Sequence, residues 1–303
     1  MPALPTRNSI RRLASFRCTK LVVIQSLGTG DVRTGEILQG YLSTLDSFVA
    51  NGTQLEIHDC SSKVQLTTLL ETLLKEATEQ HSFPILHFEC HGSDEGDGLV
   101  LASEERMTWE ELGSLLTKLN LATEFNLLVF FAACNAFYFI EEMEAIRPAP
   151  VYAMVAPSDE VSPAEVMGGT RIYYRALFDS ADAGLALRTL RAEKLEQGQW
   201  FGKTAEEWFE EVLVNYVIAN CSSKEIANRA QRMYQQQPTA GPRMSVGALK
   251  RGLYKKHASF SDEYFNQCFH TSEVPSNVQR FAALRTRVEQ RVKAIRNQKS
   301  FRL

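Results

Sequence analysis

The sequence predicts an α/β protein: a mostly parallel sheet with helices on both faces, followed by a C-terminal helical region. Two observations carry this. From Lys20 to Ala156, apolar runs rich in β-branched and aromatic residues alternate with amphipathic stretches, which is the order of a βαβ series. Beyond Gly202 only helical periodicity is legible, interrupted by the Gln- and Pro-rich stretch Gln235–Pro242. With 303 residues and 44% apolar content the chain has the length for about two domains. The divisions expected are a basic N-terminal arm over 1–19, a sheet domain over 20–198 and a helical basic region over 199–303.

Element by element, Leu21–Gln25 reads as the first strand, and apolar residues at helical spacing give one helix over Thr34–Val49. A second strand falls at Gln54–His58, a helix at Val64–Glu79, and a third strand at Ile85–Glu89, started by Pro84 and ended by Gly92. Leu99–Leu101 is a short extra strand. Thr108 followed by Glu111 is a capping box opening the next helix. Leu127–Ala132 is apolar on both faces, as a central parallel strand should be. Helices over Phe137–Ile146, Pro163–Phe178 and Gly184–Glu196 surround a strand at Val151–Val155.

Charge is unevenly placed. Residues 221–303 carry 16 Lys/Arg against 5 Asp/Glu, whereas residues 1–220 carry 17 against 31. The body is acidic and the tail basic. The longest apolar stretch, Leu127–Ile140, contains Asn135 and falls short of the ~20 residues that span a bilayer. No membrane span is expected. Arg7, Arg11, Arg12 and Arg17 stand among Ser and Leu with no acidic residue before Asp31, a plain basic arm that only loosely imitates a transit peptide. Six cysteines without a CxxC pair read as reduced thiols in a cytoplasmic protein.

In a parallel sheet, reactive groups collect beyond the carboxyl ends of the strands. Two strand ends here bear them: Glu89-Cys90-His91-Gly92 and Ala132-Ala133-Cys134-Asn135. If the two strands are neighbours, about 4.8 Å apart, His91 and Cys134 emerge side by side. His91 would take the thiol proton, Cys134 would attack as thiolate, and the backbone N–H groups of Gly92 and Cys134 would face the developing oxyanion.

The same residues resemble a family. Ile85-Leu86-His87-Phe88-Glu89-Cys90-His91-Gly92, Asp97-Gly98-Leu99-Val100-Leu101, Thr108-Trp109-Glu110-Glu111-Leu112 and Leu128-Val129-Phe130-Phe131-Ala132-Ala133-Cys134 follow in the order of the CHAT branch of caspase-like cysteine peptidases. The resemblance covers residues 20–198. It implies the caspase-type fold, a His91/Cys134 dyad attacking a peptide carbonyl, and specificity set by the loops Ser26–Arg33 and Ala156–Val161. Wider relatives place an acidic residue two before the nucleophile for a basic P1 side chain; Ala132 stands there. Asp31, Asp159 or Glu160 could supply that charge instead, and Arg33 could hold an acidic P1. Stand-alone relatives resemble bacterial defence or stress effectors, so a protein substrate, and activation by a protein partner or by oligomerisation, are expected.

Other readings of these residues are weaker. His87 and His91 lie about 13 Å apart along a strand, too far to share an ion, so no metal is expected. Gly28, Gly30 and Gly35 lack the Gly at position 33 of a dinucleotide fingerprint, and no cofactor is expected. The main alternative is an interaction protein with a silent dyad acting through its tail, where Phe281, Leu284, Val288, Val292 and Ile295 form an apolar stripe. The tail's charge attracts polyanions, yet no aromatic-interleaved reader motif is present, so nucleic acid is not the expected partner.

Overall fold

The structure, a computed structural model, describes residues 17–140, 148–193, 195, 199–238, 242–298 and 301. Most of the basic arm, including Arg7, Arg11 and Arg12, lies outside them, as do the second half of the helix expected over Phe137–Ile146, the end of Gly184–Glu196 and Arg302. The described chain is α/β. Its strands are β1 (Lys20–Ser26), β2 (Gln54–Asp59), β3 (Pro84–Gly92), β4 (Gly98–Val100), β5 (Arg106–Thr108), β6 (Leu128–Ala132), β7 (Ala153–Pro157) and β8 (Trp200–Thr204). They form one sheet in the order β2-β1-β3-β6-β7-β8, with the β4–β5 hairpin attached to the end of β3. All pairs along this path are parallel except β7–β8.

Buried on both faces, β1, β3 and β6 make the middle of the sheet, which is why they read as nearly continuous apolar runs. β2 lies at the edge and is only half-buried. At the start of β1 the buried Lys20 ammonium is held by Glu56 at 3.1 Å and Glu76 at 2.5 Å. Stacked rings fill the space between sheet and helices: Phe88 lies on Phe131 at 5.2 Å, and Trp109 meets Phe131 edge-on.

The helices of this unit are α1 (Thr34–Leu42), α2 (Asp46–Ala50), α3 (Lys63–Gln80), α4 (Trp109–Ala122), α5 (Pro163–Ser180) and α6 (Ala183–Ala192), with a 3-10 turn over Ala136–Ile140. Where the periodicity predicts one helix over Thr34–Val49, the chain makes two. The first ends in a tightened turn, Thr44 N–H to the Tyr41 carbonyl at 3.1 Å and Leu45 N–H to that of Leu42 at 3.0 Å, and Leu45 itself is extended (φ −85°, ψ 109°), so the ladder stops there. The helical reading beyond Gly202 also begins too early. Trp200-Phe201-Gly202-Lys203-Thr204 alternates buried and half-buried residues and pairs antiparallel with β7. A Cβ at Gly202 would come 2.4 Å from Leu187 and 3.1 Å from the Met154 carbonyl, so this short strand is fitted tightly in place.

By its contacts the chain divides into two compact units. Of the described residues, those within 17–140 and 150–204 form the first, and 148–149 with those within 205–301 form the second. The second contains α7 (Ala205–Asn220), α8 (Ser223–Gln235), α9 (Val246–Cys268), α10 (Ser276–Arg280) and α11 (Ala282–Arg296). Its core is aromatic: Phe209 packs on Tyr264, Phe265 and Phe269, and Phe269 stacks on Phe281 at 4.3 Å. The predicted stripe faces inward, with Phe281, Leu284, Val288 and Val292 buried and Ile295 half-buried. Arg287 and Arg291 both reach Glu210 at 2.8 Å, so part of the basic charge is internally paired. Among the described residues no helix is long and apolar enough to cross a membrane.

The capping box is present: the Thr108 hydroxyl accepts from the Glu111 N–H at 3.2 Å and the Glu111 carboxylate accepts from the Thr108 N–H at 2.9 Å. Thr108→Ala should cost about 1 kcal/mol in urea unfolding, because it strands a helix-terminal donor at α4.

Candidate active site

Register brings the predicted pair together. β3 and β6 are adjacent and parallel, with Glu89 opposite Ala132. One pleat further along each chain stand His91 and Cys134, past the end of the parallel pairing. There β3 changes partner, and His91 and Gly92 pair with Val100 and Leu99 of β4. The hairpin that holds them is braced by Arg106, which bonds Glu95 and Asp97. On the other side the chain leaves β6 abruptly. Asn135 has φ 57°, a conformation Asn tolerates, and its N–H donates to the Asp159 carbonyl at 3.3 Å.

Between these strand ends the backbones nearly touch. A Cβ at Gly92 would lie 1.8 Å from the Cys134 carbonyl oxygen, so only glycine fits. Around the two ends lies a cleft of about 500 Å³ lined by His91, Gly92, Asp94, Cys134, Asn135, Glu160, Val161 and Ser162. Among its lining residues the acids Asp94 and Glu160 face no Lys or Arg.

His91 is exposed and its Nε2 lies 2.9 Å from Asp31 Oδ2. That oxygen also accepts the Gly28 N–H at 2.7 Å. Asp31, predicted as a pocket residue, is therefore turned onto the predicted base. The hydrogen bond to His91, followed by that from Gly28, holds the Asp31 carboxyl below the usual carboxylate range. A carboxyl depressed in the folded state adds stability above its ordinary range and loses it as pH falls through its folded midpoint. The pair therefore outlasts acidification to pH ~4, the ordinary aspartate range.

Cys134 is half-buried. The Val161 N–H donates to its sulfur at 3.4 Å, and the thiol lies 3.8 Å from the Val161 carbonyl. No hydrogen bond joins His91 to Cys134: the two share the cleft but hold different partners. All six cysteines are free. Burial pushes the thiols of the other five up, Cys60 to about 11 and Cys18 to about 12, and Cys134 alone of the six lines this cleft.

The remaining predicted site residues separate. Glu160 lines the cleft, whereas the Asp159 carboxylate accepts the Ser158 hydroxyl at 3.1 Å. Arg33 is committed elsewhere, to Asp59 at 2.5 Å and Glu36 at 3.2 Å. Sequence reasoning missed Asp94, which no motif marks, and gave Val161 only as the end of a specificity loop, not as the partner of the Cys134 thiol. It also missed what His87 and Glu89 do. Two polar residues at alternate positions of an apolar strand, in phase with His91, were the available signal.

Compared with known protein families and with curated proteins, the chain matches no family model and no curated relative.

Replacing Asp31 by Asn removes the carboxylate that holds His91 in the cleft it shares with Cys134. Alkylation of Cys134 by iodoacetamide near neutral pH, followed by peptide mass mapping, should slow roughly two- to fivefold in Asp31→Asn, the scale of an exposed pair.

Proposed function

We propose that the chain is a cysteine endopeptidase of the caspase-like, CHAT type, acting on a protein substrate through Cys134 and His91. One observation carries the reading: β3–β6 register delivers an imidazole with a carboxylate partner and a thiol to the same open cleft at the carboxyl ends of parallel strands. The free cysteines support a cytoplasmic setting. In keeping with the resemblance, regulated bacterial defence or stress signalling is the context proposed, with activation by a partner or by oligomerisation.

The chemistry follows from the positions. Substrate binding lets the Cys134 thiol exchange Val161 for His91, which takes its proton; Asp31 steadies the resulting imidazolium. The thiolate attacks the scissile carbonyl carbon. The oxyanion formed meets the backbone N–H groups of Gly92 and Cys134. Collapse expels the amine, protonated by His91, and leaves a thioester. Water, deprotonated by His91, then releases the acid and restores the thiol. Asp94 and Glu160 give the cleft a negative lining suited to a cationic side chain, a role Ala132 cannot play.

Cys134→Ala, His91→Ala and the double variant should each lose about 10³-fold or more in peptide cleavage and fall to the same residual rate, since they act as one unit. Glu160→Gln should cut kcat/KM on peptides with Lys or Arg at P1 by roughly two- to fivefold, the scale of an exposed ion pair. Sequencing the ends released from a peptide library reads both. Independent, additive losses would defeat the dyad.

A second reading draws on the separate partners of His91 and Cys134: a caspase-like interaction protein whose dyad is silent. Under that reading Cys134→Ala keeps the full biological effect.

A further inference from the structure

Below His91 on the same face of β3 lie Glu89 and His87, both buried. Each of the three reaches a different element. His91 reaches Asp31 in the loop after β1. Glu89 accepts the hydroxyl of Thr34, the first residue of α1, at the end of that same loop. His87 reaches the phenol of Tyr174 on α5 with Nδ1 at 2.9 Å and the other Glu89 oxygen with Nε2 at 2.8 Å. Burial keeps the Tyr174 phenol protonated, and the Thr34 hydroxyl donates to the carboxylate oxygen that His87 does not touch. Tyr174, His87 and Thr34 thus form one chain of contacts around a single buried carboxyl group.

We propose that this buried network fixes the loop that presents Asp31 to His91, making Glu89 and Thr34 positioning residues of the site. The inference rests on the reading of His91 as the base. Two rungs tie the same two segments: Asp31–His91 in solvent, and Thr34–Glu89 in the core, three residues along the loop and one pleat along the strand. An exposed rung alone is readily lost to water, and the buried rung holds loop and strand in register when it opens. The loop has little freedom otherwise. Asp31 N–H donates to the Gly28 carbonyl at 3.2 Å, and Thr34 N–H to Val32 at 2.9 Å. A Cβ at Gly35 would sit 2.6 Å from Gln25 Oε1 and 2.8 Å from Val23, so α1 starts pressed against β1.

The test follows the Asp31 carboxyl by ¹³C NMR titration in the full chain. The groups facing it are His91 and the Gly28 N–H; Arg33 nearby is held by Asp59 and Glu36, and Asp94 and Glu160 line the cleft beside His91. Facing Glu89 are His87 and Thr34, with the Tyr174 phenol and the Cys90 thiol within its field. Thr34→Val, which keeps the shape and removes the hydroxyl, should bring the Asp31 titration most of the way back to the ordinary aspartate range, and Glu89→Gln should do the same. Thr123→Val, which removes another buried hydroxyl away from this network, should leave it unmoved. If Glu89→Gln does not fold, Thr34→Val decides. A folded Thr34→Val protein with a wild-type Asp31 titration overturns the inference, even if its activity falls. Because the titration needs no turnover, an inert wild-type protein would defeat only the peptidase reading.

Discussion

The close approach of two backbones at the carboxyl end of the sheet is the constraint on which the site depends. β3 and β6 are aligned at Glu89 and Ala132, and the next pleat brings Gly92 against the Cys134 carbonyl with no room for a side chain. A slip of one residue in either strand would turn His91 or Cys134 to the opposite face. The alignment is secured from both ends. Buried aromatic pairs across the strands, Phe88 on Phe131 and His87 on Phe130, fix it below. The β4–β5 hairpin fixes it above by pairing with His91 and Gly92.

From this follows the layered character of one strand face. His87 is core, Glu89 is core but polar, and His91 is in solvent. A buried carboxylate is tolerated only when its lone pairs are met, and Thr34 and His87 meet them. The same crowding rationalises Ala132. It lies opposite Glu89 in the adjacent strand, so an acidic residue there would put a second carboxylate beside the first. The negative charge of the cleft instead comes from the loops, through Asp94 and Glu160.

Much of this was legible in the sequence because parallel-sheet strands announce themselves as apolar runs and their carboxyl ends collect reactive groups. The β3 and β6 runs and the nearness of His91 to Cys134 came from such patterns, and the Thr108 capping box from the Thr–Glu spacing that opens a helix. What stayed hidden depends on contacts between distant residues. Asp31 reads as one of three loop acids for a basic P1 side chain until the loop is seen folded over His91, 60 positions away. Glu89 reads as an interruption of an apolar strand until Thr34 and His87 are placed around it. β8 escaped because five residues of alternating burial, Trp200–Thr204, directly precede a long helix and share its apolar density. The single helix expected over Thr34–Val49 failed because the backbone turns extended at Leu45, a break that apolar spacing running on through Phe48 does not mark.

Covalent capture tests the central claim most directly. The intact protein is treated with a peptidyl acyloxymethyl ketone bearing Lys at the P1 position, and the adduct is mapped by mass spectrometry. The account predicts one adduct, on Cys134, that is lost in His91→Ala and competed by substrate peptide. Adducts spread over several cysteines, or a Cys134 that stays unmodified while the protein is folded, would contradict it.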